Sequence, residues 1–171
     1  LCNCKIITPK KELIDMDALE LLKIDHDQVG QLFDQIEQAD STNEKRRLFQ
    51  DLKQQLDTHA YIEENVFYPY FEDNEEMSEL IEDSFDDHQE MRDLIQEIEL
   101  LSDSVDASNL EDSDWDDRFD DLMECVEDHV SMEEEELFPR VESSMSSNDL
   151  MNLGARLEEA KRTFMTQSEA A

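Results

Sequence analysis

Two stretches of this chain carry side chains able to do chemistry, His59 to Pro69 and His129 to Pro139. Each reads His, three residues, two or more Glu, then an apolar or aromatic pair closed by Pro. On an α-helix, residues four apart differ by about 40° in direction and about 6 Å in height. His59 and Glu63 therefore point the same way, as do His129 and Glu133, and one nitrogen and one carboxylate from each helix can reach a common ion. Glu64 and Glu134 are turned by about another 100°. They are expected to be solvated or to stand behind the ligands, with a bridging role for Glu134 only if its helix is locally distorted.

The chain has four His, and the other two occupy equivalent places. His26 falls in a stripe with Leu19, Leu22, Val29, Phe33 and Ile36, and His88 in one with Ile81, Phe85, Met91, Ile95 and Ile98. His59 follows Phe49, Leu52 and Leu56 and precedes Val66 and Tyr70, and His129 follows Trp115, Phe119, Leu122 and Val126. The alternation of three- and four-residue steps is that of a helix face turned to a core. One such His is ordinarily a hydrogen-bonded core residue. Four of them, with Glu63 and Glu133 also inward, would cost a few kcal/mol for each unsatisfied group in an apolar interior, and bound metal removes most of that cost. The mixed nitrogen and oxygen set suits iron, manganese or zinc. Six donors exceed the need of one tetrahedral zinc, and two carboxylates on facing helices can bridge a pair of ions. A dinuclear site held by His26, His59, Glu63, His88, His129 and Glu133 is the expectation.

The elements that must position these residues are helices. Two Gly and three Pro in 171 residues, with no alternating β-branched runs, predict long helices and few turns. The spacing predicts helices over about 15–39, 44–68, 75–101 and 115–139, and a fifth over about 149–165 with Leu150, Leu153, Leu157, Ala160 and Phe164 on one side. Short connections make sequential antiparallel neighbours the simplest arrangement. The fold expected is all-α, an up-down-up-down four-helix bundle with an additional C-terminal helix. Its parts would be an N-terminal segment (1–14), the bundle (15–143), and a helix packed on the bundle with a tail (144–171).

Composition narrows the partners. With 14 basic and 48 acidic residues and a formal charge of −34, nucleic acid is not expected, since phosphates require a basic surface. Anionic membranes are disfavoured on the same ground. No apolar run approaches a membrane span and no basic leader precedes an apolar segment, so a soluble, cytoplasmic protein is expected. Cys2 and Cys4 form a Cys-x-Cys pair able to bind a soft metal or oxidise, and Cys125 reads as a packing residue.

In this order and spacing, Asp25-His26, His59 with Glu63-Glu64 and Phe67-Tyr68-Pro69, Asp87-His88, and His129 with Glu133-Glu134 and Leu137-Phe138-Pro139 resemble the hemerythrin-like, or HHE cation-binding, family. The resemblance spans Leu19 to Met165. It implies a non-haem centre of two iron ions with an oxo or hydroxo bridge and carboxylate bridges. Oxygen-carrying members use five His, the third helix supplying two at i and i+4. Here the residue four after His88 is Arg92, so the set looks more like members that repair iron centres under nitrosative stress or that sense iron and oxygen. The function expected is binding, sensing or reaction of a small ligand (O2, NO or peroxide) at the intrabundle site. Iron storage or delivery, and an interaction bundle with a structural metal, are the alternatives. No catalytic residue and no protein partner is indicated.

Overall fold

Asp17 starts the first helix by a reciprocal cap. Its carboxylate accepts the Glu20 N–H at 3.0 Å and the Glu20 carboxylate faces the Asp17 N–H at 3.5 Å, which satisfies two amides that a helix N-terminus leaves free. Ser41 begins the second helix through its Oγ on the Glu44 N–H (3.3 Å), and Ser146 the last through its Oγ on the Asp149 N–H (3.2 Å). In the computed structural model, which describes residues 16–104 and 113–168, the helices are α1 (Ala18–Glu37), α2 (Thr42–Ile62), α3 (Ser78–Ser104), α4 (Ser113–Met132), α5 (Phe138–Ser144) and α6 (Ser147–Ser168). Residues 1–15, including Cys2 and Cys4, and most of the acidic connection before Trp115 lie outside the described residues. Helices α1 to α4 form the expected antiparallel four-helix bundle, with α6 packed against α1 and α2. Among the described residues there is no strand, and no helix is long and apolar enough to cross a membrane.

Two π-turns depart from the expected helices. Residues Glu63–Phe67 and Glu133–Leu137 close i to i+5 hydrogen bonds, the Tyr68 N–H reaching the Glu63 carbonyl and the Phe138 N–H the Glu133 carbonyl. A π-turn accommodates one residue more than an α-turn, so the face buried beyond it rotates. The straight-helix pattern would bury Val66 and Tyr70. Instead Phe67, Tyr68 and Phe71 are buried, Val66 is half-buried, and Tyr70 is 46% exposed. Pro69 follows in a 3-10 turn (Tyr68–Phe71) and Pro139 in the first turn of α5, where a missing N–H is tolerated. A smaller departure is Phe85, expected in the α3 stripe but 39% exposed, with Ser84 and Leu94 buried on that helix. The Phe85 ring lies edge-on to Tyr68.

The polar residues divide the apolar interior into two cores. One gathers Leu22, Ile62, Phe67, Leu137, Phe138 and Leu153, and the other Val29, Phe33, Leu52, Ile98, Trp115 and Leu122. His26 falls in sequence between Leu22 of the first and Val29 of the second. Each fully buried Leu or Phe contributes roughly 1.5–3 kcal/mol, so the fold can carry a polar layer between its two cores.

Helix α6 is held by Leu150, Leu153 and Leu157, all buried, while Ala160 and Phe164 are half-buried and Phe164 stacks on Tyr61 with ring centroids 4.4 Å apart. Gly154 permits the close approach, since a Cβ there would stand 2.5 Å from the Met16 carbonyl oxygen.

Candidate metal centre

The structure brings all six expected residues together. His26 comes from α1, His59 and Glu63 from α2 and its π-turn, His88 from α3, and His129 and Glu133 from α4 and its π-turn, and every one is buried. Their donor atoms fall into two groups, His26, His59, Glu63 and Glu133 in one and Glu63, His88 and His129 in the other, with the atoms of each group within 4.8 Å of one another. Glu63 belongs to both. Its Oε2 lies 3.1 Å from His59 Nε2 and 3.3 Å from His88 Nε2. Glu133 Oε2 stands between the other pair, 3.3 Å from His26 Nε2 and 3.7 Å from His129 Nε2. Each carboxylate thus stands between two imidazoles of different helices, as a bridging carboxylate must.

Each imidazole turns Nε2 inward and Nδ1 toward an outer carboxylate. His26 Nδ1 is 2.7 Å from Glu134, His88 Nδ1 3.0 Å from Glu64, and His129 Nδ1 3.3 Å from Asp87. His59 Nδ1 faces Asp25 at a longer 3.8 Å. The four contacts form a ring through the bundle, in which α1 serves α2, α2 serves α3, α3 serves α4 and α4 serves α1. A proton on Nδ1, which a facing carboxylate favours, leaves the Nε2 lone pair free to bind metal. Yet the inward atoms face each other closely, His26 Nε2 and His59 Nε2 at 3.2 Å and His88 Nε2 and His129 Nε2 at 3.3 Å. Two lone pairs at that separation repel unless a proton or a cation lies between them.

Two ligand-type carboxylate oxygens point to the same conclusion. Glu63 Oε1 and Glu133 Oε2 are buried and make no hydrogen bond within the protein, the imidazoles near Glu133 Oε2 notwithstanding. Native interiors rarely leave such atoms unpaired. Nitrogen and oxygen donors that converge without satisfying one another fit a pair of metal ions of N/O preference.

With only protons to share, His26, His59, Glu63 and Glu133 are displaced from their ordinary pKa values in opposing directions. Burial favours neutral His26, but Glu133 and then Glu63 outweigh it and raise its pKa to about 9. His59 is lowered to about 4 by burial and by the neighbouring His26 charge, against the pull of Asp25. Burial and the Glu133 charge push Glu63 well above the usual carboxylate range. Glu133, though burial opposes its charge, is held far below that range by His129 and His26.

Four contributors, Tyr68, Asp25, Asp87 and Lys161, were not assigned roles from the sequence. Tyr68 is fully buried, and its O–H donates to Glu133 Oε1 at 2.8 Å and lies 3.2 Å from Glu63 Oε2, joining the two carboxylates. Only the π-turn brings it inward. Asp25 and Asp87 do not serve the His beside them in the chain but the His of the next helix. Lys161 of α6 pairs with Asp25, and Arg92 donates to Glu64 Oε1 at 2.9 Å. Burial disfavours the charge of both carboxylates, but Asp25 is held ionised by His59 and Lys161, and Glu64 by His88 and Arg92. Glu64 and Glu134 thus stand behind the imidazoles, and Arg92 pairs with a carboxylate instead of entering the centre.

Cys125 is half-buried, and burial and the surrounding Glu90, Asp87 and Asp128 push its thiol up to about 12. This suits packing and not nucleophilic chemistry.

Between the imidazoles and the second core lies a chamber of about 10 Å³, lined by the four His with Val29, Leu56, Met91, Val126 and Val130. That is roughly the space of one water centre.

Comparison with known proteins places these features in a wider set. The sequence model of the hemerythrin HHE cation binding domain matches residues 17–141. A solved structure of a hemerythrin HHE cation binding domain-containing protein from Mycobacterium kansasii superposes with a TM-score of 0.71 at 23% identity, over 89% of this chain and 91% of that one. A protein of Nostoc sp. described as a DNA nickase is 27% identical over 158 residues, which are 91% of this chain but 42% of that protein.

Proposed function

Because this chain belongs to the hemerythrin HHE cation binding domain family, we propose that its bundle interior holds two metal ions, iron in first place, and that a small ligand such as O2, NO or peroxide is bound, sensed or converted there. His26, His59, His88 and His129 would each give an Nε2, with Glu63 and Glu133 as the shared carboxylates. The observation that carries this reading is the set of outer carboxylates, three hydrogen-bonded to Nδ1 of His26, His88 and His129 and a fourth 3.8 Å from Nδ1 of His59, which turns four Nε2 atoms toward one region where two buried carboxylate oxygens also lack partners.

When bound, iron would supply an open coordination position and a redox change. The chain's own residues would decide what reaches that position. The chamber beside the imidazoles is apolar apart from the rings and has room for about one water-sized molecule, so only a small ligand fits there. Tyr68 keeps its proton, burial and then the charges of Glu133 and Glu63 raising its pKa well above the usual phenol range. It therefore orients the two carboxylates as a hydrogen-bond donor. Arg92 stands where oxygen carriers of the family place a fifth His, and its pairing with Glu64 supports a centre short of one protein nitrogen and suited to reaction or sensing.

DNA nicking, named for the Nostoc relative, is not carried over. The chain spans 42% of that protein, and a formal charge of −34 opposes approach to phosphates. No nucleic acid or membrane partner is proposed.

Metal analysis of protein purified without added metal, with an optical spectrum before and after NO, O2 or peroxide, tests the reading. Two equivalents of iron with a ligand-dependent spectrum are expected. His59→Ala or Glu63→Ala should lower metal content and Glu135→Ala should not. Equal loss in all three would show that stability and not ligation was being read. Iron that leaves at once to a competing chelator, with no spectral response to any ligand, would favour delivery.

A further inference from the structure

The chain contains two glycines. Gly154 is required by close backbone contact with Met16 and Ala18. Gly30, in the middle of α1, has no such reason, because a Cβ built there meets nothing within 4 Å and its backbone φ is not positive. Glycine is disfavoured in a helix interior relative to alanine, so an unforced glycine at that position calls for an explanation in the space beside it.

That space is a surface groove of about 490 Å³ between α1 and α4, with His26, Val29, Gly30 and Phe33 on one wall and Val126 and Val130 on the other. Asp34, Glu127, Glu134 and Glu135 also line it, and no lysine or arginine does. The groove shares His26, Val29, Val126 and Val130 with the small inner chamber on which all four imidazoles open. His26 is therefore the one imidazole that lines both the outer groove and the inner chamber. Behind it, 3.3 Å from its Nε2, lies Glu133 Oε2, fully buried and without a hydrogen-bond partner. On its outer side Nδ1 is 2.7 Å from Glu134, whose carboxylate lines the groove.

We propose that the α1/α4 groove is the route by which divalent cations reach the buried centre, with Gly30 keeping it open and Glu127, Glu135 and then Glu134 drawing the ion to His26. A cleft lined by one sign of charge raises the local concentration of the opposite charge and speeds its arrival. An unpartnered carboxylate oxygen at the inner end supplies a reason for the ion to leave the groove. Glu134 and His26, 2.7 Å apart, then stand as the last pair between the groove and the buried carboxylates.

The inference rests on the metal-centre reading above, and the test separates the two. The full chain, stripped with a chelator and dialysed, is mixed anaerobically with Fe(II), or with Co(II) as a coloured probe, and uptake is followed by stopped-flow absorbance together with the final metal-to-protein ratio. Gly30→Leu places a side chain in the groove one turn beyond His26, and Gly30→Ala is the control that adds the helix propensity with little bulk. Glu127→Gln combined with Glu135→Gln should lower the uptake rate roughly tenfold at low salt and flatten its dependence on ionic strength. Gly30→Leu should slow uptake at least as much at an unchanged final ratio and helical content, and Gly30→Ala should load at the unmodified rate. Uptake by Gly30→Leu at the unmodified rate overturns the route while leaving the centre intact. An unmodified protein that takes up neither metal overturns the centre and the route with it.

Discussion

Asp87 precedes His88 in the chain, yet its Oδ2 lies 3.3 Å from Nδ1 of His129 on the neighbouring helix. Asp25 stands in the same relation to His59, 3.8 Å away, although it precedes His26. Two halves of the chain, each reading Asp-His and later His with at least two Glu, therefore close on each other so that every outer carboxylate faces the imidazole of the next helix, three of them within hydrogen-bond distance.

The ring predicts the effect of Asp87→Asn. Removing the carboxylate behind a ligating His typically costs about 10–100-fold in metal affinity, while Asp86→Asn, at an exposed neighbour, should cost nothing. Competition against a chromophoric chelator reads both. Equal affinities would mean that Asp87 does not act on His129.

Arg92→His concerns the place of the absent fifth imidazole. Arg92 holds Glu64 at 2.9 Å, and the same Glu64 oxygen lies 3.0 Å from His88 Nδ1. The substitution should release Glu64 and add a nitrogen one turn from His88. The visible spectrum of the iron-loaded protein should change and oxygen uptake should become more reversible. If the unmodified protein already takes up and releases oxygen over repeated cycles without oxidising, the argument from Arg92 is wrong.

The pH dependence of stability in chelator follows from two imidazoles shifted in opposite directions. His59, lowered from 6.5 to about 4, is neutral in the fold where the unfolded chain would bind a proton, so its contribution is present above pH 6.5 and is lost as pH falls toward 4. His26, raised from 6.5 to about 9, contributes fully below pH 6.5 and loses that contribution as pH rises through 9. Asp25, Glu64 and Glu133, held low, add to the acid limb, and Glu63, held high, adds to the alkaline one. The thermal midpoint should therefore fall on both sides of a maximum, with the alkaline limb running to about pH 9. Metal should abolish that limb, since cations take the place of the protons on His26 and Glu63. A metal-independent alkaline limb would contradict the assignment.

The two glycines should respond to alanine with opposite signs. At Gly154 a methyl group would press on the Met16 and Ala18 backbone, and overpacking of that kind costs about 1–3 kcal/mol. At Gly30 nothing lies within 4 Å, so Gly30→Ala should stabilise by roughly 0.5–1 kcal/mol. Denaturant unfolding of both variants in chelator measures the difference, and destabilisation by both would show that Gly30 is packed in solution.

Helical periodicity is a local property, and it placed His26, His59, His88 and His129 on the inward faces of four helices before any contact between them was known. The step from His to Glu four residues on likewise placed Glu63 and Glu133 on the inward faces, because each is the first residue of its π-turn and precedes the rotation that the turn introduces. What lay beyond that point was not legible. A straight α-helix continued from Glu63 turns Tyr70 inward, whereas the π-turn exposes it and buries Phe67, Tyr68 and Phe71, and no local residue pattern announces an i to i+5 hydrogen bond. The pairing of outer carboxylates was hidden for a different reason. Asp25 and Asp87 are adjacent in sequence to one His and adjacent in space to another, and Lys161 reaches Asp25 from 136 residues away. Sequence fixes the direction of a side chain relative to its own helix, but which imidazole a carboxylate meets depends on the height and rotation of the neighbouring helix, and only the packing of the two cores sets those.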